Sequence, residues 1–118
     1  MPEATSPNSN SENNPEPQPS DSFERVATVR LVGDVVASTA DVAAAQLRAP
    51  LSGNPDIIDI DMSAVTYLNS AGGHAFVSLI GAAVPAGVRL VIRDASPEAR
   101  SALHTLGLDR FFEYIRAD

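Results

Sequence analysis

The chain has 118 residues, enough for one small domain and too few for two. Apolar content of 44% with only 5% aromatic residues predicts a core of Val, Ile, Leu and Ala, and the absence of cysteine excludes a disulfide frame and thiolate chemistry. A net charge of −7 with no lysine argues against nucleic acid, whose binding rests on Lys and Arg contacts to phosphate.

No apolar run approaches the roughly 18 residues of a membrane span. The N-terminus carries no basic residue before Arg25 and no apolar stretch, so it does not read as a secretory signal. A cytoplasmic location away from membranes is the expectation. Residues 1–22 are rich in Pro, Ser, Asn and Glu and nearly free of large apolar side chains. Such a segment buries too little surface to offset its ordering entropy, which predicts a disordered acidic tail over 1–22 and one folded domain over 23–118.

In chain order, the first element is a half-buried strand. Val26, Thr28 and Arg30 alternate with Ala27, Val29 and Leu31, ending at Gly33, with a second short strand in the residues that follow. A helix comes next, capped by Ser38 with Asp41 three residues on, and with Ala40, Ala43, Ala44, Leu47 and Leu51 on one face. Ile57 to Met62 form the next strand, with Ile58, Ile60 and Met62 on one side and Ile57, Asp59 and Asp61 on the other, followed by a loop.

The second helix is expected from about Ser70 to Val84, stopped by Pro85, with a core stripe of Gly72, Phe76, Leu79, Ile80 and Ala83. A strand over Gly87–Asp94 follows. The last helix is the best marked, with Ser96 as cap, Pro97 at its first position, Glu98 at the positive dipole end and Gly107 placed to end it. The chain closes in a short strand or turn. Strands alternating with helices predict an α/β domain with a mixed, mostly parallel sheet of four to five strands and helices packed on it.

Little enzyme chemistry is available. Ser70 and His74 stand four residues apart, on one face of a helix, but no orienting acid or oxyanion hole accompanies them and the G-x-S-x-G elbow is missing. His74 and His104, the only histidines, lie on different helices, so no metal site is expected. Asp59 and Asp61 read as structural carboxylates. No phosphate-binding glycine loop is present, and no cofactor is expected. What remains is the strand-to-helix junction at Ser70, where a hydroxyl can cap the helix by accepting a backbone N–H.

The run IIDIDMSAVTYLNSAGG resembles the signature of STAS domains, specifically bacterial anti-sigma factor antagonists. Its elements are Asp61, Met62, Ser63, Val65, Tyr67, Leu68, Asn69, Ser70, Ala71 and Gly72. Upstream, LVGDVVASTADVAAAQL is similar to the family's turn of glycine and acid before its first helix. Downstream, the segment from Gly87 to Ile115 is similar to its strand, helix and closing Leu-Gly-Leu piece. Asn69 stands where Asp is commoner, and Gly73 and His74 stand where a Leu and a small residue are usual.

The resemblance implies an anti-sigma factor antagonist-like fold and a non-enzymatic role in bacterial stress-response transcription. Its partner is an anti-sigma factor that is also a serine kinase, and a phosphoserine phosphatase reverses the modification. Ser70 is the implied phosphorylation site. Asp34, Asn69, Ser70, Ala71, Gly73, His74, Val77 and Ser78 are the implied partner-binding residues, the last three with Ser70 on the helix face away from the core stripe. The alternatives are a STAS subunit bracing an ABC-type lipid transporter ATPase, and a non-phosphorylated scaffold or ligand-sensing STAS module.

Overall fold

The structure is a computed structural model that describes residues 24–116, so the tail expected over 1–22 lies outside the described residues. Strand β1 (Val26–Val35) leads to helix α1 (Ala40–Arg48) and a 3-10 turn (Ala49–Gly53). Strand β2 (Ile57–Leu68) is followed directly by α2 (Ser70–Ala83), then β3 (Arg89–Arg93), α3 (Pro97–Thr105), a 3-10 turn (Asp109–Phe111) and β4 (Glu113–Ile115).

Every ladder among the described residues is parallel, in the order β1-β2-β3-β4, so the sheet they form is four-stranded and parallel. Right-handed crossovers between successive neighbours place every helix on the same face of such a sheet. One core results. Val29, Leu31 and Val35 of β1, Ile58, Ile60 and Met62 of β2 and Leu90 and Ile92 of β3 meet Ala43 and Leu47 of α1, Phe76 and Leu79 of α2 and Leu103 of α3. Phe112 closes it with an edge-to-face contact on Phe76, ring centroids 5.9 Å apart. The expected stripe on α2 is buried throughout.

The opposite face is covered by charge. Asp59 of β2 is buried beside Arg93 of β3, Arg30 lies 3.9 Å from Asp61, and Arg89 pairs with Glu113 at 2.9 Å. The hydroxyl and backbone N–H of Ser63 hold the Asp61 carboxyl below the usual carboxylate range. Asp59 and Asp61 thus belong to cross-strand ion pairs. These opposite-charge neighbours suit a solvated sheet face.

Three expectations are corrected. The first strand does not end at Gly33 but runs unbroken to Val35, Gly33 adopting a φ of 83° within it. The second strand continues six residues past Met62, to Leu68, where a loop was expected. Two irregularities explain this: Arg30 pairs with Asp61 but Val32 with Ala64, and Gly33 pairs with Val65 but Asp34 with Tyr67. Each inserts an extra β2 residue and breaks the period-2 pattern that marks a strand. Finally, α1 is entered through Thr39, not Ser38. Thr39 Oγ1 donates to the Asp34 carbonyl at 2.8 Å and accepts the Val36 N–H at 3.0 Å, tightening the turn before the helix instead of capping it.

Candidate functional site

In a parallel sheet every strand ends on the same side, so the helix starts gather along one edge. Here β2 stops at Leu68, Asn69 is extended (φ −120°, ψ −179°), and α2 begins at Ser70. The Gly72 N–H donates to Asn69 Oδ1 at 2.9 Å, so Asn69 is the helix cap. The capping role anticipated for Ser70 is therefore filled by its neighbour. Ser70 occupies the first helical position, is exposed, and makes no hydrogen bond through its hydroxyl among the described residues.

This helix start sits hard against β1. The Asn69 N–H donates to the Val35 carbonyl at 3.3 Å. A Cβ at Gly72 would lie 1.8 Å from that same carbonyl oxygen, so only glycine permits the approach. Asp34, next to Val35, is exposed and accepts a hydrogen bond from Thr66 Oγ1 at 2.6 Å. The turn after β1, the end of β2 and the first turn of α2 thus form one braced unit.

Of the residues expected at a partner surface, Ser70, His74 and Val77 are exposed, Val77 at 45%, and they follow one another along the same side of α2. Asn69 and Ala71 are half-buried. Ser78 is half-buried too, lining a groove against α1 with Asp41 and Arg48. Gly73 is buried against α3: a Cβ there would fall 2.2 Å from Leu106 Cδ1. Its place is in the α2–α3 packing, away from the exposed side.

Sequence reasoning missed the other wall of the site. A cleft of about 510 Å³ runs between the start of α2 and α3, lined by Tyr67, Asn69, Ser70, Glu98, Ser101 and Thr105 over an apolar floor. Tyr67 is 55% exposed. The signal was present in the topology: β2 and β3 are parallel neighbours, so the helices that follow them start side by side. Nothing in the local pattern around Glu98 connects it to Ser70, 28 residues earlier.

Other chemistry does not assemble. His74 has no carboxylate partner among the described residues, which leaves Ser70–His74 without the orienting acid of a triad. His104 Nδ1 lies 2.8 Å from Asp109 Oδ2, on the far side of α3, and this hydrogen bond holds the Asp109 carboxyl below its ordinary range. No cluster of three metal-ligating side chains occurs among the described residues, and no helix among them is long and apolar enough to cross a membrane.

The domain is thus a two-layer parallel α/β fold that offers an exposed serine on the first turn of a helix braced from beneath by a neighbouring strand. The STAS domain family model matches residues 19–117, and the chain belongs to that family. Solved structures with this fold include an anti-sigma factor antagonist from Mycobacterium paratuberculosis, 24% identical with a TM-score of 0.66 over 79% of each chain. A sulfate transporter family protein from Wolinella succinogenes is 20% identical, with a TM-score of 0.61 over 75% of this chain and 77% of its own. The anti-sigma factor antagonist SpoIIAA in its unphosphorylated form is 12% identical, with a TM-score of 0.56 over 81% of this chain and 83% of its own. Among curated protein sequences, none matches.

Proposed function

We propose that this STAS domain is an anti-sigma factor antagonist in a partner-switching pathway. With Ser70 bare it binds an anti-sigma factor that is also a serine kinase; with Ser70 phosphorylated it lets that partner go. The observation that carries the reading is the division of labour at the helix start. Asn69 caps α2, so the Ser70 hydroxyl is exposed, unbonded and free to be modified without cost to the helix.

In the transfer, Ser70 Oγ attacks the γ-phosphorus of ATP held by the partner, the bond to the ADP oxygen breaks, and the hydroxyl proton passes to a base of the kinase. The product carries about −1.5 to −2 extra charge at neutral pH on the first turn of α2, where helix N–H groups and the dipole tolerate it. A partner packed over Ser70, His74 and Val77 must desolvate that charge, and binding fails while the fold persists. A phosphatase then resets the serine. Asp34, held by Thr66, belongs to the same surface.

The test is incubation with the cognate kinase and ATP, read by intact mass and peptide mapping, together with affinity capture on wild-type and Ser70→Glu baits. One phosphate at Ser70, and a kinase captured by wild type but lost with Glu, is the expected result. No modification, with partner binding indifferent to Ser70→Glu, would overturn it.

A further inference from the structure

We infer that a phosphate on Ser70 is received within the same molecule by the imidazole of His74, and that Glu98 closes off the alternative direction. The inference rests on the reading of Ser70 as a modification site and adds what the modified side chain does next.

Ser70 is the first residue of α2, and His74 stands four residues later on the same helix, exposed and without a hydrogen-bond partner among the described residues. Residues at i and i+4 are surface neighbours on a helix, and helical side chains lean toward the N-terminus, so position 74 is the one from which a side chain can reach back to a group on Ser70. An anion placed N-terminal to a cation at this spacing is the favourable order, because it also agrees with the helix dipole.

The other direction open to a phosphate is the cleft toward α3. There it meets Glu98, a carboxylate lining the same cleft, and no basic side chain lines that cleft. Like charges drive the phosphate out of the cleft and toward the exposed side of α2. The remaining charged groups on elements packed about α2 are Asp34 at the end of β1, Asp41 and Arg48 of α1, and Arg100 and His104 of α3, while Arg30, Asp59, Asp61, Arg89 and Arg93 of the strands stand in ion pairs on the opposite face of the sheet. Arg48 shares its groove with Ser78, two turns beyond Ser70. Arg100 and His104 line a separate cavity with Asp109 and Tyr114. His74 is therefore the basic side chain on Ser70's own side of the helix.

The second ionisation of a phosphoserine lies near 6, so its charge and a proton on the neighbouring imidazole bias one another. A nearby phosphate dianion favours the imidazolium and a nearby imidazolium favours the dianion. The phosphate on this surface changes its own charge with pH near 6.

The experiment uses the full chain with phosphoserine installed biosynthetically at position 70, so that no kinase is required. Histidine ring resonances and the ³¹P signal are followed against pH in bare and phosphorylated protein. The midpoint of His74 should rise on phosphorylation by about half a unit, roughly a threefold gain in proton affinity, from the size of exposed helix pairs doubled for a dianion. His104, paired with Asp109 on the other side of α3, should not move and serves as the internal control.

In the phosphoprotein, His74→Gln should raise the phosphate midpoint, and Glu98→Gln should lower it. Both side chains are exposed, so both variants fold. A His74 midpoint identical in the bare and phosphorylated proteins would overturn the pairing. A kinase that fails to modify Ser70 would instead overturn the proposed function and leave this measurement standing.

Discussion

Asn69 Oδ1 accepts the backbone N–H of Gly72, and through that bond the residue before Ser70 does the work that Ser70 would otherwise do. A cap of this kind contributes about 1 kcal/mol, and its loss to alanine falls in the range of roughly 0.5–2 kcal/mol. Asn69→Ala should therefore destabilise the domain by about 1 kcal/mol in urea denaturation. Asn69→Asp should be close to neutral because a carboxylate accepts the same N–H. Ser70→Ala should cost less than about 0.5 kcal/mol, as expected for an exposed side chain with no bond to lose. A Ser70→Ala penalty equal to that of Asn69→Ala would place the cap on the serine and remove the ground for its availability.

The three glycines of α2 are not alike, and their alanine variants should separate by sign. At Gly72 the new methyl would collide with the Val35 carbonyl, which is backbone and cannot step aside. Loss of about 3 kcal/mol or more is expected, since α2 must lift off β1. At Gly73 the obstacle is the tip of Leu106, a flexible side chain, and the cost should be nearer about 1 kcal/mol. At Gly81 nothing lies within 4 Å, so Gly81→Ala should gain about 0.5–1 kcal/mol from helix propensity alone. Equilibrium denaturation of the three variants reads the order directly; equal penalties would contradict the packing of α2 on β1 and α3.

These glycines also mark how far the sequence is legible. Helix α3 could be read whole, because its signals are local: Ser96 accepts the Ala99 N–H at 3.1 Å, Pro97 opens the helix, and Gly107 leaves it at a φ of 74°. The buried stripe of α2 was equally plain in its 3.6-residue period. The length of β2 was hidden, because the two extra residues opposite β1 shift the apolar pattern between faces beyond Met62. Gly72 could be placed in the core stripe, but its reason, contact with a carbonyl 37 residues earlier, is tertiary. The serine at the site was visible in the sequence. The cap that frees it and the cleft beside it depend on which neighbour wins a hydrogen bond and which helices start side by side.

The ion pair of Asp59 and Arg93 is asymmetric. The Asp59 side chain is 8% exposed and the Arg93 side chain 39%. Removing the acid leaves an arginine that can turn toward water; removing the arginine leaves a carboxylate with little access to it. Arg93→Ala should therefore cost more than Asp59→Ala, with an unpaired buried group worth about 1–3 kcal/mol. Denaturation of both single variants and the double variant tests this, and the double should be less destabilised than the sum of the two. Equal single penalties would show that the sheet face rearranges freely around the pair.

Tyr114 presents the reverse situation, a buried polar atom with no partner. Its hydroxyl makes no hydrogen bond among the described residues, while its ring packs beneath the guanidinium of Arg100 at 4.4 Å. Phenylalanine keeps the ring and the cation contact and removes the unpaired oxygen, so Tyr114→Phe should be neutral or stabilising by up to about 1 kcal/mol. Burial, assisted by the negative charge of Asp109 and opposed by Arg100, pushes the Tyr114 hydroxyl above its ordinary range. The folded state then holds the phenolic proton more tightly than the unfolded chain does. Its contribution to stability is complete below about pH 10, the value for an unfolded tyrosine, and is lost as pH rises through the folded value. Alkaline unfolding should accordingly be less steep in Tyr114→Phe than in wild type. A phenylalanine variant that is less stable at neutral pH would mean that the hydroxyl has a partner, and the packing of β4 against α3 would need to be redrawn around it.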